Sequence, residues 1–190
     1  MIKIIMHGCN GKMGQVITKI AEADSKVEIV AGVDQFQGVQ NPYPVFSSME
    51  ACDAEADVVI DFSNAAAVDG LLDYCVNRQL HHNQKVDAPS GTALALADSV
   101  NEALDHEYTY VYDRSQYRKK REEKEIGISA VRGGTIVGEH EVIFAGMDEV
   151  IEFKHTAYSR SVFGKGAVEA AKFLAGKTAG MYDMSDVIQF

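Results

Sequence analysis

The chain has 190 residues, 46% of them hydrophobic and 24% charged, enough for one domain or two small ones with a real core. The formal net charge of −10 excludes a general nucleic-acid binder, and the one basic run, Arg118 to Arg121, is followed at once by the acidic stretch Glu122-Glu123-Lys124-Glu125. No apolar run approaches the ~20 residues needed to span a bilayer. Cys9, Cys52 and Cys75 are odd in number and form no CxxC pair, which points to reduced thiols in a cytoplasmic protein and to no metal site.

Taken in order, residues 1–6 read as a buried strand, too short for a signal peptide. The strand runs into Gly8-Cys9-Asn10-Gly11-Lys12-Met13-Gly14, and a helical pattern with Val16, Ile17, Ile20 and Ala21 on one face starts at once. A second strand, Val27 to Val33, ends at Asp34. Strand, glycine loop, helix, strand and terminal acid form a dinucleotide-binding pattern, here spaced GxxGxxG. The glycines let the backbone approach a pyrophosphate at the helix start, and the acid accepts from the adenosine ribose hydroxyls. Gln35 stands where an arginine would meet a 2′-phosphate, which favours NADH, while Lys12 keeps NADPH open. Asn41-Pro42-Tyr43-Pro44 marks a loop and 47–52 a short helix or turn. A third strand at 57–62 and a helix at 65–77 complete half of a doubly wound fold, with strands expected in the order 3-2-1.

The stretch His81-His82-Asn83-Gln84-Lys85-Val86-Asp87-Ala88-Pro89-Ser90-Gly91-Thr92 carries the densest chemistry. The residue before Pro89 is pushed away from helical angles, and Ser90 is placed to cap a helix over 91–104. The first turn of that helix offers the N–H groups of Gly91 and Thr92 to an anion such as a carboxylate. Lys85 and His82 supply positive charge nearby, and His81 a proton near neutral pH. A solvated loop before an ordinary cap is the competing reading of the same residues. Strands are expected at 108–112, 126–132 and 135–137, the last two joined by a turn at Gly133-Gly134. A hairpin of 139–145 and 149–156 follows, closed through Gly146-Met147-Asp148. About four strands in one sheet with one helix make an α+β domain. A helix at 166–174 is stopped by Gly176, and 181–190 reads as a tail strapped to the body.

Four blocks in this order resemble the dihydrodipicolinate reductase family of bacterial lysine and diaminopimelate synthesis. They are the Gly8 to Gly14 loop, Val58 to Ser63, His81 to Thr92, and the region from Ile128 to Gly166. The last contains Arg132-Gly133-Gly134, Gly138-Glu139-His140 and His155-Thr156-Ala157-Tyr158-Ser159-Arg160. The resemblance implies an α/β protein with two parts. A Rossmann-like dinucleotide-binding domain, half of it present, would occupy 1–80, with the C-terminal helix and tail 165–190 packed back on it. An α+β substrate and oligomerisation domain with a mixed sheet would occupy 81–164. The implied activity is hydride transfer from NADH or NADPH to a cyclic dicarboxylate. His81 is implied as general acid and Lys85 as its partner. His82, Gly91 and Thr92 are implied as substrate contacts, and Gly8, Cys9, Asn10, Gly11, Lys12, Met13 and Asp34 as the cofactor site. The family also implies a homotetramer built on the substrate-domain sheet; His140 and His155 sit in expected strands and read as structural or interface residues rather than ligands.

One departure stands out. Between Leu80 and His81 the family carries two further βα units, roughly 60 residues at ~30 per unit, and this sequence has none of it. Either the segment is deleted, leaving a form that only binds nucleotide or serves as an interaction protein, or the protein carries it and the sequence is closed over it. The second is expected, because half a cofactor cleft would not hold a nicotinamide in transfer geometry.

Overall fold

The computed structural model describes residues 1–63, 89–112, 114–116, 118–131 and 137–188. The chain divides into two compact units: Met1–Gln84 with Ser159–Phe190, and Lys85–Tyr158.

In the first unit, β1 (Ile2–His7), β2 (Val27–Val33), β3 (Val45–Phe46) and β4 (Val58–Asp61) form one parallel sheet in the order β3-β2-β1-β4. Helix α1 (Lys12–Glu22) connects β1 to β2. The strands are short continuous apolar runs because both faces are covered, the pattern expected of a parallel sheet. Ile4, Ile5, Met6, Ile17, Val33, Val59 and Val168 are fully buried at its centre, each contributing about 1.5–3 kcal/mol relative to exposure. The C-terminal helix α3 (Ser161–Leu174) returns to pack on α1 and β4, placing Val168 and Ala171 in that core. Lys172 Nζ fixes it further, 2.5 Å from Asp24 Oδ2 and 2.8 Å from Glu169 Oε1.

Three expectations need correction here. The strand at 58–61 pairs with β1 and not beyond β2, so the expected order 3-2-1 is wrong. The third position is taken by the two-residue Val45–Phe46, locked by Gly32 N–H to Pro44 O at 2.9 Å and Asp34 N–H to Phe46 O at 2.9 Å. With β2 on one side and β4 on the other, β1 is flanked on both sides. The C-terminal helix starts at Ser161, five residues before the expected 166, with the Ser161 N–H donating to Ser159 Oγ at 3.1 Å. The tail contains a further turn of helix, α4 (Met184–Val187), closed by a capping box between Asp183 and Asp186. It is anchored by an edge-to-face contact of Phe173 with Tyr182, 5.7 Å between ring centroids.

The second unit holds α2 (Gly91–Glu102), β5 (Thr109–Tyr112), a 3₁₀ turn (Arg114–Gln116), β6 (Glu125–Ile128), β7 (Gly138–Ala145) and β8 (Val150–Ala157). Among the described residues the strands form two separate ladders instead of one four-stranded sheet: β5-β6 parallel and β7-β8 antiparallel. Both kinds of pairing are present. The strand expected over 126–132 stops at Ile128, and the Gly133-Gly134 turn lies outside the described residues. After α2 the chain reverses through Asp105 and His106, both at left-handed φ of 55° and 56°. Buried Asn101 holds this reversal, donating to Tyr108 O and accepting from Tyr108 N–H, each at 2.9 Å. Glu125, buried on β6, is paired with Arg114.

Candidate active site

The nucleotide loop is built on the C-terminal ends of the parallel strands. Gly8 follows β1 at φ +77°, and a Cβ there would sit 2.5 Å from Phe62 O. Gly14 lies inside the first turn of α1, where a Cβ would come within 2.3 Å of Gly8 O and 2.6 Å of Cys9 O. Both positions therefore require glycine, one for its dihedral and both for close backbone approach. Gly11 is the N-cap of α1 and makes no side-chain cap, and no acidic residue stands in the first turn. The first amides of the helix and its positive dipole end are thus left for an anion.

Asp34, one residue past β2, faces this loop. Its Oδ2 accepts from Asn10 N–H at 2.9 Å and its Oδ1 from Phe36 N–H at 2.9 Å. Asn10 is held in turn: its amide donates to Phe36 O and its Oδ1 accepts from Asn41 Nδ2 at 2.6 Å. Gln15 Nε2 donates to Cys9 O at 3.0 Å and to Asn41 Oδ1 at 2.8 Å. Asn41 and Gln15 are site-supporting residues missed in the sequence; Asn41 precedes Pro42 and read only as part of a turn. Cys9 is fully buried beneath the loop. Burial, reinforced by the Asp34 carboxylate, pushes its thiol up to about 12, so it is a packing residue here and not a thiolate. Lys12 is exposed and Met13 half-buried at the start of α1.

A second buried pair lies at the ends of β1 and β4, where His7 Nδ1 is 3.1 Å from Asp61 Oδ1. Burial alone would push the Asp61 carboxyl up. The His7 ring and the backbone and side chain of Ser63 outweigh it, and hold that carboxyl below the usual carboxylate range.

In the second unit, Ser90 caps α2 as the sequence predicts: its backbone is extended (φ −69°, ψ 154°) and its Oγ accepts from Ala93 N–H at 3.2 Å. The first intrahelical bond runs from Leu94 N–H to Ser90 O at 3.1 Å. Gly91 and Thr92 therefore stand in the first turn, ahead of that bond, half-buried and exposed respectively. Ser90 Oγ also lies 2.7 Å from His140 Nε2 on β7, a contact the sequence does not show. His81, His82 and Lys85 lie outside the described residues, as do the helix expected over 65–77 and the junction of Leu80 with His81.

A parallel sheet, a glycine loop leading to an uncapped helix and a strand-end acid define a Rossmann-like dinucleotide-binding unit. Comparison with known proteins identifies the family. Residues 2–82 match the model of the dihydrodipicolinate reductase N-terminus and residues 59–188 that of its C-terminus. The chain belongs to this family. It is 39% identical over 249 residues to the 4-hydroxy-tetrahydrodipicolinate reductase of Caldanaerobacter subterraneus subsp. tengcongensis, covering 100% of this chain and 99% of the relative. The reductase of Clostridium novyi is 38% identical over 250 residues, with the same coverage. A solved dipicolinate-bound dihydrodipicolinate reductase from Paenisporosarcina sp. TG-14 shares the fold, with TM-score 0.71 at 16% identity, covering 99% of this chain and 100% of that one. The alignment to the first relative is longer than the 190 residues here, so that relative carries residues with no counterpart in this chain.

Proposed function

We propose that this protein reduces 4-hydroxy-tetrahydrodipicolinate to tetrahydrodipicolinate with NADH or NADPH, a step of lysine and diaminopimelate biosynthesis. The match of the chain, end to end, to relatives named for this reaction carries the proposal. It makes the alternative of a nucleotide-binding relic the less favoured reading. The residues present fit the cofactor: no side chain could enter at Gly8 or Gly14 without striking backbone, and α1 is left uncapped beside Asp34. When bound, the reduced nicotinamide supplies the hydride.

The chain's own residues do the rest. Gly8, Cys9, Asn10, Gly11, Lys12 and Met13 form the cradle of the pyrophosphate. The amides of Gly8, Asn10 and Gly11 brace the loop through Val33 O, Asp34 Oδ2 and Gly8 O, and those of Lys12 and Met13 at the start of α1 face the anion. Asp34, held by two backbone N–H groups, accepts from the ribose hydroxyls. Its fixed anion opposes a 2′-phosphate and favours NADH. Gly91 and Thr92 donate to a substrate carboxylate at the start of α2, and His82 is a further substrate contact. His81 gives a proton to the carbon next to the hydride acceptor and Lys85 supports that transfer; a histidine with an unperturbed pKa near ~6.5 suits the task. Nucleotide binding is assigned to 1–80 with 165–190, and substrate binding and assembly to 81–164.

The β7-β8 ladder leaves Phe144, Ile151 and Phe153 exposed on one face, which supports its burial in a homo-oligomer, a tetramer by family resemblance. No described helix is long and apolar enough to cross a membrane, and a cytoplasmic location is part of the proposal.

The test is loss of nicotinamide absorbance on adding substrate, run beside the intact mass. Substrate-dependent oxidation of NADH is the expected result; binding of NADH without turnover would overturn the reductase and leave the nucleotide-binding form. A mass of 20.7 kDa means that Leu80 is bonded to His81, and turnover is then expected to be lost. A mass greater by roughly 6–7 kDa, the weight of two ~30-residue βα units, accompanies full activity.

A further inference from the structure

The contact between Ser90 and His140 joins residues 50 apart in sequence, at the helix start assigned above to the substrate carboxylate. A serine hydroxyl has one proton and two lone pairs. One lone pair of Ser90 Oγ is already taken by the Ala93 N–H. If His140 Nε2 donates to the other, the Ser90 proton is left to point out of the cap, beside the first-turn amides of Gly91 and Thr92. An anion at the helix start favours that arrangement, because it adds a third donor aimed at the same place.

The histidine is well placed to hold this geometry. His140 is half-buried on β7, on the ladder face it shares with Val142 and Phe144, and its partner across the ladder is His155 of β8. The neighbouring charges are turned away: Glu139 Oε1 and Lys154 Nζ pair with each other at 3.0 Å on the opposite face of the ladder. The first turn of α2 carries no acidic residue.

We infer that His140 is a positioning residue of the dicarboxylate site: through Ser90 it fixes the entry to α2 and turns the Ser90 proton toward the bound carboxylate. The inference rests on the assignment of Gly91 and Thr92 as carboxylate donors.

It is tested by steady-state kinetics of the whole enzyme and its variants His140→Ala, His140→Gln, Ser90→Ala and the double variant S90A/H140A, with pyridine-2,6-dicarboxylate as the inhibitor probe. Loss of one positioned hydrogen bond predicts a rise of about tenfold in substrate KM and inhibitor Ki for His140→Ala. The KM for NADH and kcat stay within about twofold, since the group acts on the substrate end alone. His140→Gln, whose amide still donates, restores most of the loss. The double variant is no weaker than the weaker single variant, because both remove one interaction. An unchanged Ki in His140→Ala, equal rises in KM for substrate and NADH, or additive losses in the double variant each overturn the role of His140. Should His140→Ala fail to fold, Ser90→Ala and His140→Gln decide: wild-type Ki in Ser90→Ala overturns it. A wild type that neither turns over nor binds the pyridine dicarboxylate overturns the reductase assignment with it, whereas a competent wild type with an indifferent His140→Ala overturns only this role.

Discussion

The two units use the same kinds of side chain to opposite ends. In the first, almost every large apolar residue of the four strands is spent inward, and the glycine loop rests on a core that includes Ile4, Met6, Val33 and Val59. In the second, the buried hydrophobic residues among those described are Ala97 and Ala157, while Ile143, Phe144, Val150, Ile151 and Phe153 of the β7-β8 ladder stand exposed. A cradle for a pyrophosphate must hold backbone amides within fractions of an ångström, and only a dense core does that. A ladder with an open apolar face is unfinished until something covers it. The contrast separates a unit that buries its own apolar surface from one that, among the described residues, leaves an apolar face open.

The largest effect should come from attacking the finished unit where it is tightest. Gly14→Ala puts a methyl group 2.3 Å from Gly8 O and 2.6 Å from Cys9 O, both backbone atoms with little room to yield. A loss of roughly 2–4 kcal/mol of stability is expected, the range of strain and overpacking at a special backbone position. Affinity for NADH should fall by more than tenfold. Thermal melts with NADH titrations check this; wild-type affinity in Gly14→Ala would show that the loop is slack and that the contrast between the units is false.

The unfinished unit should respond in a different currency. Phe153→Glu places a charge on the apolar face beside Phe144, whose ring meets that of Phe153 edge-on at 6.1 Å. Since Phe153 is already 63% exposed, stability of the isolated chain should change by less than about 1 kcal/mol, as for ordinary surface substitutions. The oligomer should dissociate, read as a drop in mass by light scattering, with NADH binding intact. An unchanged assembly would place the interface elsewhere.

How much of this could be read in advance divides along the same line. β1, α1, β2 and the loop between them were legible because α1 carries a helical period and the two strands are apolar runs closed by glycine and by an acid, and the Ser90 cap because its proline and glycine neighbours fix it locally. β3 was not, since two residues carry no period, and its pairing is made by backbone bonds from Gly32 and Asp34. The place of β4 beside β1 is a matter of topology that strand patterns do not encode. The first turn of α3 holds Phe163 and Gly164, a poor helical signal that packing against α1 overrides. The partners of the site, Asn41 for Asn10 and His140 for Ser90, lie 31 and 50 residues away. No local pattern announces a contact of that reach.

The smallest effect probes how dry the finished unit is. In the folded chain the Cys9 thiol is pushed from its ordinary value of 9.0 up to about 12, first by burial and then by the Asp34 carboxylate. A thiol whose folded value exceeds its unfolded one contributes stability fully present below the unfolded value. That stability is lost as the pH rises toward the folded value, because the unfolded chain releases the proton first. Between pH 9 and 11 the fold should therefore weaken, with a slope from this one group approaching about 1.4 kcal/mol per pH unit. Tyr43, also raised to about 12 by burial, adds its own weakening as the pH approaches its ordinary value of 10.0. Denaturant melts of the wild type and Cys9→Ala at pH 8, 9 and 9.8 isolate the thiol, since Tyr43 weakens both alike, and Cys9→Ala should flatten the curve across that range. If the wild type and Cys9→Ala weaken in parallel, water reaches the thiol, and the floor of the nucleotide loop is wetter than its packing implies.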